Sequence, residues 1–404
     1  MTAPHMSNTD ALKLEDNPLR DAWSIADGVT YLNHGSFGPS PRVVEQARRA
    51  WTDQLERQPM NFFLRQMEEA LNEARESLAA FVGADASDLI FVDNATYGMN
   101  IVAASVELKA GDEVLVTNHE YGAVLRIWRR VCKQTGTQLV VRKLPQPFVS
   151  ANETAADFLE GVTDKTKLIV VSHVTSPTAL TLPVKKICHG ARQRGVQVCV
   201  DGPHAIAMTP LNIRELNCDY YAASCHKWLS APFGTGFLYV AGRRQATVKP
   251  PILSWGGSIS GKSPDWKDEF NWVGTRDPAG FLAIPAAIKF LETTGIDQFR
   301  EATHQLAEYA RLQIDEAFGL GDIPAANSSD WYASMIALPI PTGDAERPRE
   351  EHRDPLQDAL WEQFRIEVPI VHWQRRRFVR VSCHLYNSRA DVDRLTDALR
   401  TLIR

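Results

Sequence analysis

Between residues 89 and 240 the chain alternates short apolar runs with helical patterns, and this alternation narrows the folds open to it. Strands are expected at 89–92, 113–117, 138–142, 167–173, 196–200, 220–223 and 237–240. Helices are expected between them: one ending at 106, then 124–134, 155–162 and 184–194. Such a text specifies a mostly parallel sheet covered by helices on both faces. In these sheets ligands bind beyond the carboxyl ends of the strands. Polar clusters at 94–96, 119–121, 175–178 and 201–204 each follow a strand. They should therefore converge on one edge.

The rest of the chain divides around that block. At 404 residues it suits a large domain plus a smaller one. Residues 1–40 read as an N-terminal arm and loop, of which 1–20 is a loose arm. Residues 41–290 read as the large domain, entered through helical patterns at 42–56 and 62–82. Residues 250–277 carry three tryptophans and several glycines, which predicts a packed functional loop. Helices at 278–294 and 297–318 follow. Residues 291–404 read as a compact α+β domain, with strands at 335–339, 367–372 and 378–383 and helices at 356–364 and 391–403. Residues 343–353 read as a charged surface loop. A net charge of −5 with scattered basic residues offers no nucleic-acid footprint. The six cysteines form no CxxC pair, so no metal site is expected, and buried free thiols in a reducing compartment are. The first residues lack an apolar signal core and no apolar run reaches membrane length, so the expectation is a soluble cytoplasmic protein.

The chemistry is expected in SCHKWLSAPFGTGFLY, residues 224–239. Lys227 sits at the edge of an apolar strand pair, where desolvation lowers an ammonium's pKa and frees a nucleophilic amine able to form a Schiff base. A lone lysine would snorkel to solvent; Lys227 has companions. Asp201 ends a Val-rich strand, where a carboxylate must be paired to stay charged. Alone it would be a helix cap or turn residue. Together the two suit pyridoxal 5'-phosphate, with the lysine carrying the cofactor and the aspartate holding a proton on the pyridine nitrogen. The phosphate needs a grip, and Asn94-Ala95-Thr96 at a helix N-terminus can supply one. Ser224 and His226 flank the lysine and could add contacts. Tyr121 could lie flat on the ring, although a lone tyrosine is more often core packing.

The ordered set NAT, HEYGA, HVTSP, VDGPHA, SCHKW, GTGFLYV, GTRD and RVSCHLYN resembles the class V group of fold-type I pyridoxal-phosphate enzymes. Within that group it is most similar to the isopenicillin N epimerase-like branch, related to cysteine desulfurases and selenocysteine lyases. Each motif is common, but their joint order, from about residue 31 to the end of the sequence, is specific. The resemblance implies Lys227 as Schiff-base lysine and proton-transfer base, Asp201 on the pyridine nitrogen and Tyr121 stacked on the ring. It implies His204 and Ser176 near the ring oxygen; desulfurases have asparagine where Ser176 stands. Ala95, Thr96, Ser224 and His226 would bind the phosphate, with Thr275 reaching in from a second subunit of a homodimer with shared active sites. Arg380 would clamp a substrate carboxylate, and His34 and Ser36 would face the substrate.

A desulfurase needs a mobile cysteine near the start of the C-terminal strand pair, where this chain reads RIEVPIVHWQRRR. Cys383 follows the Arg380 strand and is expected to be buried. The expected activity is epimerisation at the Cα of an amino acid or amino-acid-containing small molecule, through an external aldimine. Inversion would need a second proton donor, Tyr121 or His34. The alternatives are a C–S or β-eliminating lyase without a persulfide cysteine, and a non-catalytic scaffold of the same fold.

Overall fold

The computed structural model describes residues 19–403 apart from 149, 260, 263–264, 322, 324 and 342–353. The expected loose arm, but for its last two residues, and the charged loop at 343–353 lie outside the described residues. The strands, in chain order, are β1 (Thr30–Tyr31), β2 (Leu89–Val92), β3 (Glu113–Thr117), β4 (Gln138–Arg142), β5 (Thr166–Ser172), β6 (Gln197–Asp201), β7 (Tyr220–Ser224), β8 (Gly236–Val240), β9 (Met335–Ile340), β10 (Ile366–Glu367), β11 (Ile370–Trp373) and β12 (Arg376–Ser382).

Seven of them form one sheet in the order β2-β8-β7-β6-β5-β3-β4. β8 runs antiparallel to both neighbours, and the other pairs are parallel. Alternate residues of each strand enter different cores, because successive side chains point to opposite faces. Ile169, Val171, Val198, Val200, Tyr221 and Ala223 pack on one face with Leu71, Leu78, Phe158 and Ile187 from helices. Leu168, Val170, Cys199, Tyr220 and Ala222 pack on the other with Met99, Val102, Val124 and Trp128. Helices therefore cover both faces, as the strand–helix alternation predicts. Helix Gly122–Thr135 illustrates the local cause: Val124, Trp128 and Cys132 are buried at four-residue spacing, and Gly136, at φ 75°, stops the helix with its backbone N–H on the Cys132 carbonyl.

The second sheet is antiparallel, β11-β12-β9, and its core packs Leu338, Val379 and Val381 against Leu306, Ile314, Leu395 and Leu399 of two helices. The first of these helices is Ile296–Phe318; the second, Arg389–Leu402, starts with a capping box between Ser388 and Asp391. β1 and β10 form a separate parallel pair, with Thr30 opposite Ile366.

Three expectations need correction. The helix expected at 155–162 is Ala151–Leu159, because Ser150 caps it by accepting the Glu153 backbone N–H at 3.1 Å. The strand expected at 367–372 is two short strands, β10 and β11, with different partners. The loop at 250–277 is not packed throughout: Leu253 is 80% and Trp255 92% exposed, because no other described segment of this chain covers them. Among the described residues no single helix is long and apolar enough to cross a membrane; the one bent pair that passes by length and composition turns 76° at its break and buries Leu291, Phe299 and Leu306.

Candidate active site

A cavity of about 480 Å³ opens at the carboxyl ends of the parallel strands. Asn94, Ala95 and Thr96 line it from beyond β2, Tyr121 from beyond β3, Ser176 from beyond β5, and Asp201 and His204 from the end of β6. Ser224, His226 and Lys227 come from the end of β7 and the turn after it, Gly35, Ser36 and Phe37 from the N-terminal segment, and Arg380 from β12. Every expected site residue except His34 and Thr275 lines this one cavity.

Lys227 lies in the connection of the β7–β8 hairpin. The Ser230 backbone N–H donates to the Lys227 carbonyl at 2.7 Å, and Ser230 adopts a left-handed conformation at φ 57°. That strain costs a non-glycine residue about 1–2 kcal/mol and marks a turn held in place by its surroundings. Lys227 Nζ stands 3.2 Å from His204 Nε2. Burial, and then the positive charge of Arg380, push the lysine below its ordinary range, while Asp201 works against them. Burial likewise raises Asp201, and the Lys227 charge pulls it back. The Asp201 side chain, on a residue only 4% exposed, has no hydrogen-bond partner among the described residues. A buried carboxylate left so is costly unless something brings it a proton or positive charge.

Two backbone donors of helix Ala95–Ser105 are already committed. The Ala95 N–H donates to Ser224 Oγ at 2.9 Å and the Tyr97 N–H to Asn94 Oδ1 at 2.9 Å. With its N–H on Ser224, Ala95 lines the cavity without a free backbone donor. The Thr96 N–H and hydroxyl and the Ser224 hydroxyl proton remain to donate at this helix N-terminus. His226 Nδ1 lies 3.2 Å from the Thr235 carbonyl, to which it must donate, so a neutral ring keeps a lone pair on Nε2 and would donate to a phosphate only as an imidazolium. β8 approaches closely enough that a Cβ at Gly236 would stand 2.4 Å from the Ala223 oxygen and 3.0 Å from Asn94 Cα.

Arg380 is 5% exposed. One terminal nitrogen donates to the Ser176 carbonyl and hydroxyl, both at 2.9 Å, and the other to the Ser36 hydroxyl at 2.6 Å. Its Nε has no partner among the described residues. Burial pushes it down to about 10, so it stays charged at neutral pH with no carboxylate on it.

His34 is the expectation the structure overturns. It is fully buried behind the lysine, with Nε2 2.9 Å from the Lys227 carbonyl and Nδ1 2.9 Å from the Tyr386 hydroxyl, and it stacks on His384 at 3.8 Å. Both ring nitrogens are engaged, burial pushes it down to about 3, and it supports the lysine turn rather than facing a substrate. Thr275 is exposed on its loop and lines no part of the cavity from this chain. Two residues went unassigned in the sequence. Glu120 is buried with its carboxylate accepting from the Thr117 hydroxyl at 2.6 Å and the Ser172 hydroxyl at 2.5 Å, and burial raises it to about 7. Trp228, next to Lys227 in the chain, is fully buried with its indole N–H 3.4 Å from His204 Nδ1. The HEYGA and SCHKW motifs contained both, but neither residue type signals a role without its neighbours.

An amine able to bind covalently, an unpartnered buried carboxylate and a set of unspent donors at a helix N-terminus suit pyridoxal 5'-phosphate chemically. Among the described residues no group of three or more His, Cys, Asp or Glu is placed to hold a metal ion. All six cysteines are buried and free, and none lines the cavity.

Comparison with known proteins agrees with the geometry. The chain is 37% identical to the isopenicillin N epimerase of Amycolatopsis lactamdurans over 95% of this chain and 97% of that one. It is 34% identical to the isopenicillin N epimerase of Streptomyces clavuligerus, over 93% and 95%. An L-cysteine desulfhydrase of Arabidopsis thaliana is 27% identical over 93% and 88%. Among solved structures, a C-DES mutant with glycine covalently linked to its PLP cofactor shares the fold at a TM-score of 0.78 and 22% identity, covering 95% of this chain and 99% of that one. Residues 40–349 match the family described as Aminotransferase class-V. The chain therefore belongs to the class V aminotransferase family and is a pyridoxal 5'-phosphate-dependent enzyme of fold type I.

Proposed function

We propose that this enzyme epimerises the Cα of an amino acid, or of a small molecule containing one, in the manner of the isopenicillin N epimerases it resembles. The observation that carries the substrate class is Arg380: a buried guanidinium at the cavity wall, held by serines and a carbonyl, with no carboxylate opposite. An α-amino acid brings a planar carboxylate that fits this fork with two parallel hydrogen bonds. Ser36 and Ser176, which hold the fork now, would orient it.

Bound pyridoxal 5'-phosphate supplies an electron sink for negative charge at the substrate Cα. Lys227 holds the cofactor, then takes the Cα proton at Nζ; its depressed proton affinity suits a base at neutral pH. Asp201 would keep a proton on the pyridine nitrogen. Thr96, Ser224 and His226 would take the phosphate, with Ala95 shaping the cavity wall. Tyr121 would stack on the ring, and His204 and Ser176 would serve the ring oxygen. Inversion needs a proton on the face away from Lys227. His34 cannot give it, since it lies behind the lysine with both nitrogens engaged. Tyr121, 48% exposed at the cavity, is the remaining candidate, with its Oη as donor. If that proton is not delivered and the substrate carries a leaving group at Cβ, the same residues perform β-elimination. No thiol lines the cavity, so we propose no persulfide relay.

We further propose a homodimer in which Thr275 reaches the partner's phosphate site and the exposed Leu253 and Trp255 are covered. Six unpaired thiols suit a cytoplasmic location. The deciding experiment is a panel of amino acids in deuterated water. Deuterium at Cα with inverted configuration supports epimerisation. Pyruvate, ammonia and a released group mean elimination, and no solvent deuterium in any amino acid sinks the proposal.

A further inference from the structure

We propose that Trp228 fixes the proton of His204 on Nε2, so that this imidazole stands as a hydrogen-bond donor to the Lys227 nitrogen and cannot serve as its base. The bearing of this on the reaction rests on Lys227 being the cofactor lysine.

The argument is one of donors and lone pairs. An indole N–H can only donate. It lies 3.4 Å from His204 Nδ1, so Nδ1 must present its lone pair. A neutral imidazole carries a single proton, which must then sit on Nε2. Nε2 is 3.2 Å from Lys227 Nζ. An ammonium has only donors, so this contact is a hydrogen bond only while the lysine nitrogen offers a lone pair. The other protonation state fits poorly. An imidazolium would have to abandon the Trp228 contact and place a second positive charge beside Arg380. Burial, the largest cause, holds His204 well below its ordinary range.

Trp228 cannot easily swing away. It is completely buried, with its ring 5.4 Å from that of His34 and 6.3 Å from that of His384. It touches neither the cavity nor a substrate, so it is a positioning residue acting through His204. The consequence is a division of labour. Lys227 alone carries the Cα proton, while His204 keeps its own and holds the lysine lone pair in one direction.

The test uses the full chain with its cofactor, ¹⁵N-labelled in its histidine rings, with His204→Gln assigning the resonance. The expected pattern is an unprotonated Nδ1 and a protonated Nε2 throughout the pH range of the folded protein. Trp228→Phe should let an Nδ1–H population appear and lower kcat about tenfold, the scale of one neutral hydrogen bond, with KM unchanged. Benzothienylalanine placed at 228 alone keeps the ring's size and replaces its N–H with sulfur. It should reproduce the same two changes, which separates the donor from the packing even if Trp228→Phe folds poorly. An Nδ1–H or imidazolium His204 in the unsubstituted enzyme overturns the proposal. So does an analogue at 228 that leaves the Nε2 proton and kcat as they were. The nitrogen spectrum needs no substrate, so it reads the same whether the enzyme epimerises or eliminates. Trapping of the cofactor on another lysine would remove Lys227's role without altering the spectrum.

Discussion

Lys227, Asp201 and Arg380 share one cavity, and each is held away from its ordinary proton affinity mainly by burial. Such groups are tuned by what enters the site, so single substitutions there should act on chemistry more than on folding. Lys227→Ala should abolish turnover, and borohydride reduction of the unsubstituted enzyme should place the cofactor on Lys227 in a peptide map. Asp201→Ala should cost roughly 10²–10⁴-fold in rate, the scale of losing one preorganised electrostatic partner. Near-normal turnover with cofactor bound would remove Asp201 from the ring nitrogen. Arg380→Ala should weaken substrate binding by about 2–5 kcal/mol, and Arg380→Lys should keep the charge but lose the fork. The cofactor absorbance should not move in either variant. An unchanged KM with a lower melting temperature would make Arg380 an interdomain strut instead.

The element that positions this chemistry is the β7–β8 hairpin, pinned from behind by the N-terminal segment. Gly38 shows how tight the seat is: a Cβ there would lie 2.5 Å from His34 Nε2 and 2.8 Å from the Lys227 oxygen. Gly38→Ala should push His34 off the lysine carbonyl, cost about 1–3 kcal/mol and loosen cofactor retention. Thermal melts read beside the cofactor absorbance check this, and a variant identical to its parent in both would show the seat has slack. The strands of the large sheet were legible because each holds a local run of apolar residues, buried in most of them, as in Leu168–Val171, and only partly covered in the edge strand β4. β1 and β10 were not, because two residues carry no periodicity and their pairing joins positions far apart in the chain. The true start of Ala151–Leu159 was legible in principle, since Ser150 and Glu153 have capping-box spacing, but the apolar spacing begins later, at Ala155. At the site, Lys227, Asp201 and Arg380 could be named because each is an unusual residue type at a strand edge. Trp228 could not, and His34 was named for the substrate rather than for the lysine turn, since an aromatic ring or imidazole shows its role only once its partner is seen.

At the scale of the molecule, the buried histidines govern stability against acid. Burial pushes His34 and His119 down to about 3 and His173 to about 4. His204 and His384 are also driven well below their ordinary range. Their pKa in the unfolded chain is about 6.5, so as pH falls below that the unfolded state takes up protons the folded state refuses. Each such group removes up to about 1.4 kcal/mol of stability per pH unit on acidification. Glu120 and Asp201 act in the opposite sense, because their raised affinity lets the folded state bind protons first. His226, also lowered to about 4, makes six such histidines against three raised carboxyls, Glu120, Asp201 and Asp88, so the urea midpoint should fall steadily between about pH 7 and 5; a flat midpoint would contradict the balance. The dimer proposal is tested by mixing Lys227→Ala with Thr275→Ala, each expected to be inactive. Shared sites predict partial recovery once subunits exchange, because one site in each hybrid carries neither lesion; a fully active monomer rules the pairing out. The parallel clasp of Thr30 on Ile366, with Ser36 nearby on Arg380, has one more consequence. A growing polypeptide emerging from the ribosome would offer Lys227 and the phosphate grip long before residues 366–382 exist. Any aldehyde met in that interval would find half a pocket, with nothing to grip a carboxylate, so holding a substrate must wait for the last strands to be made.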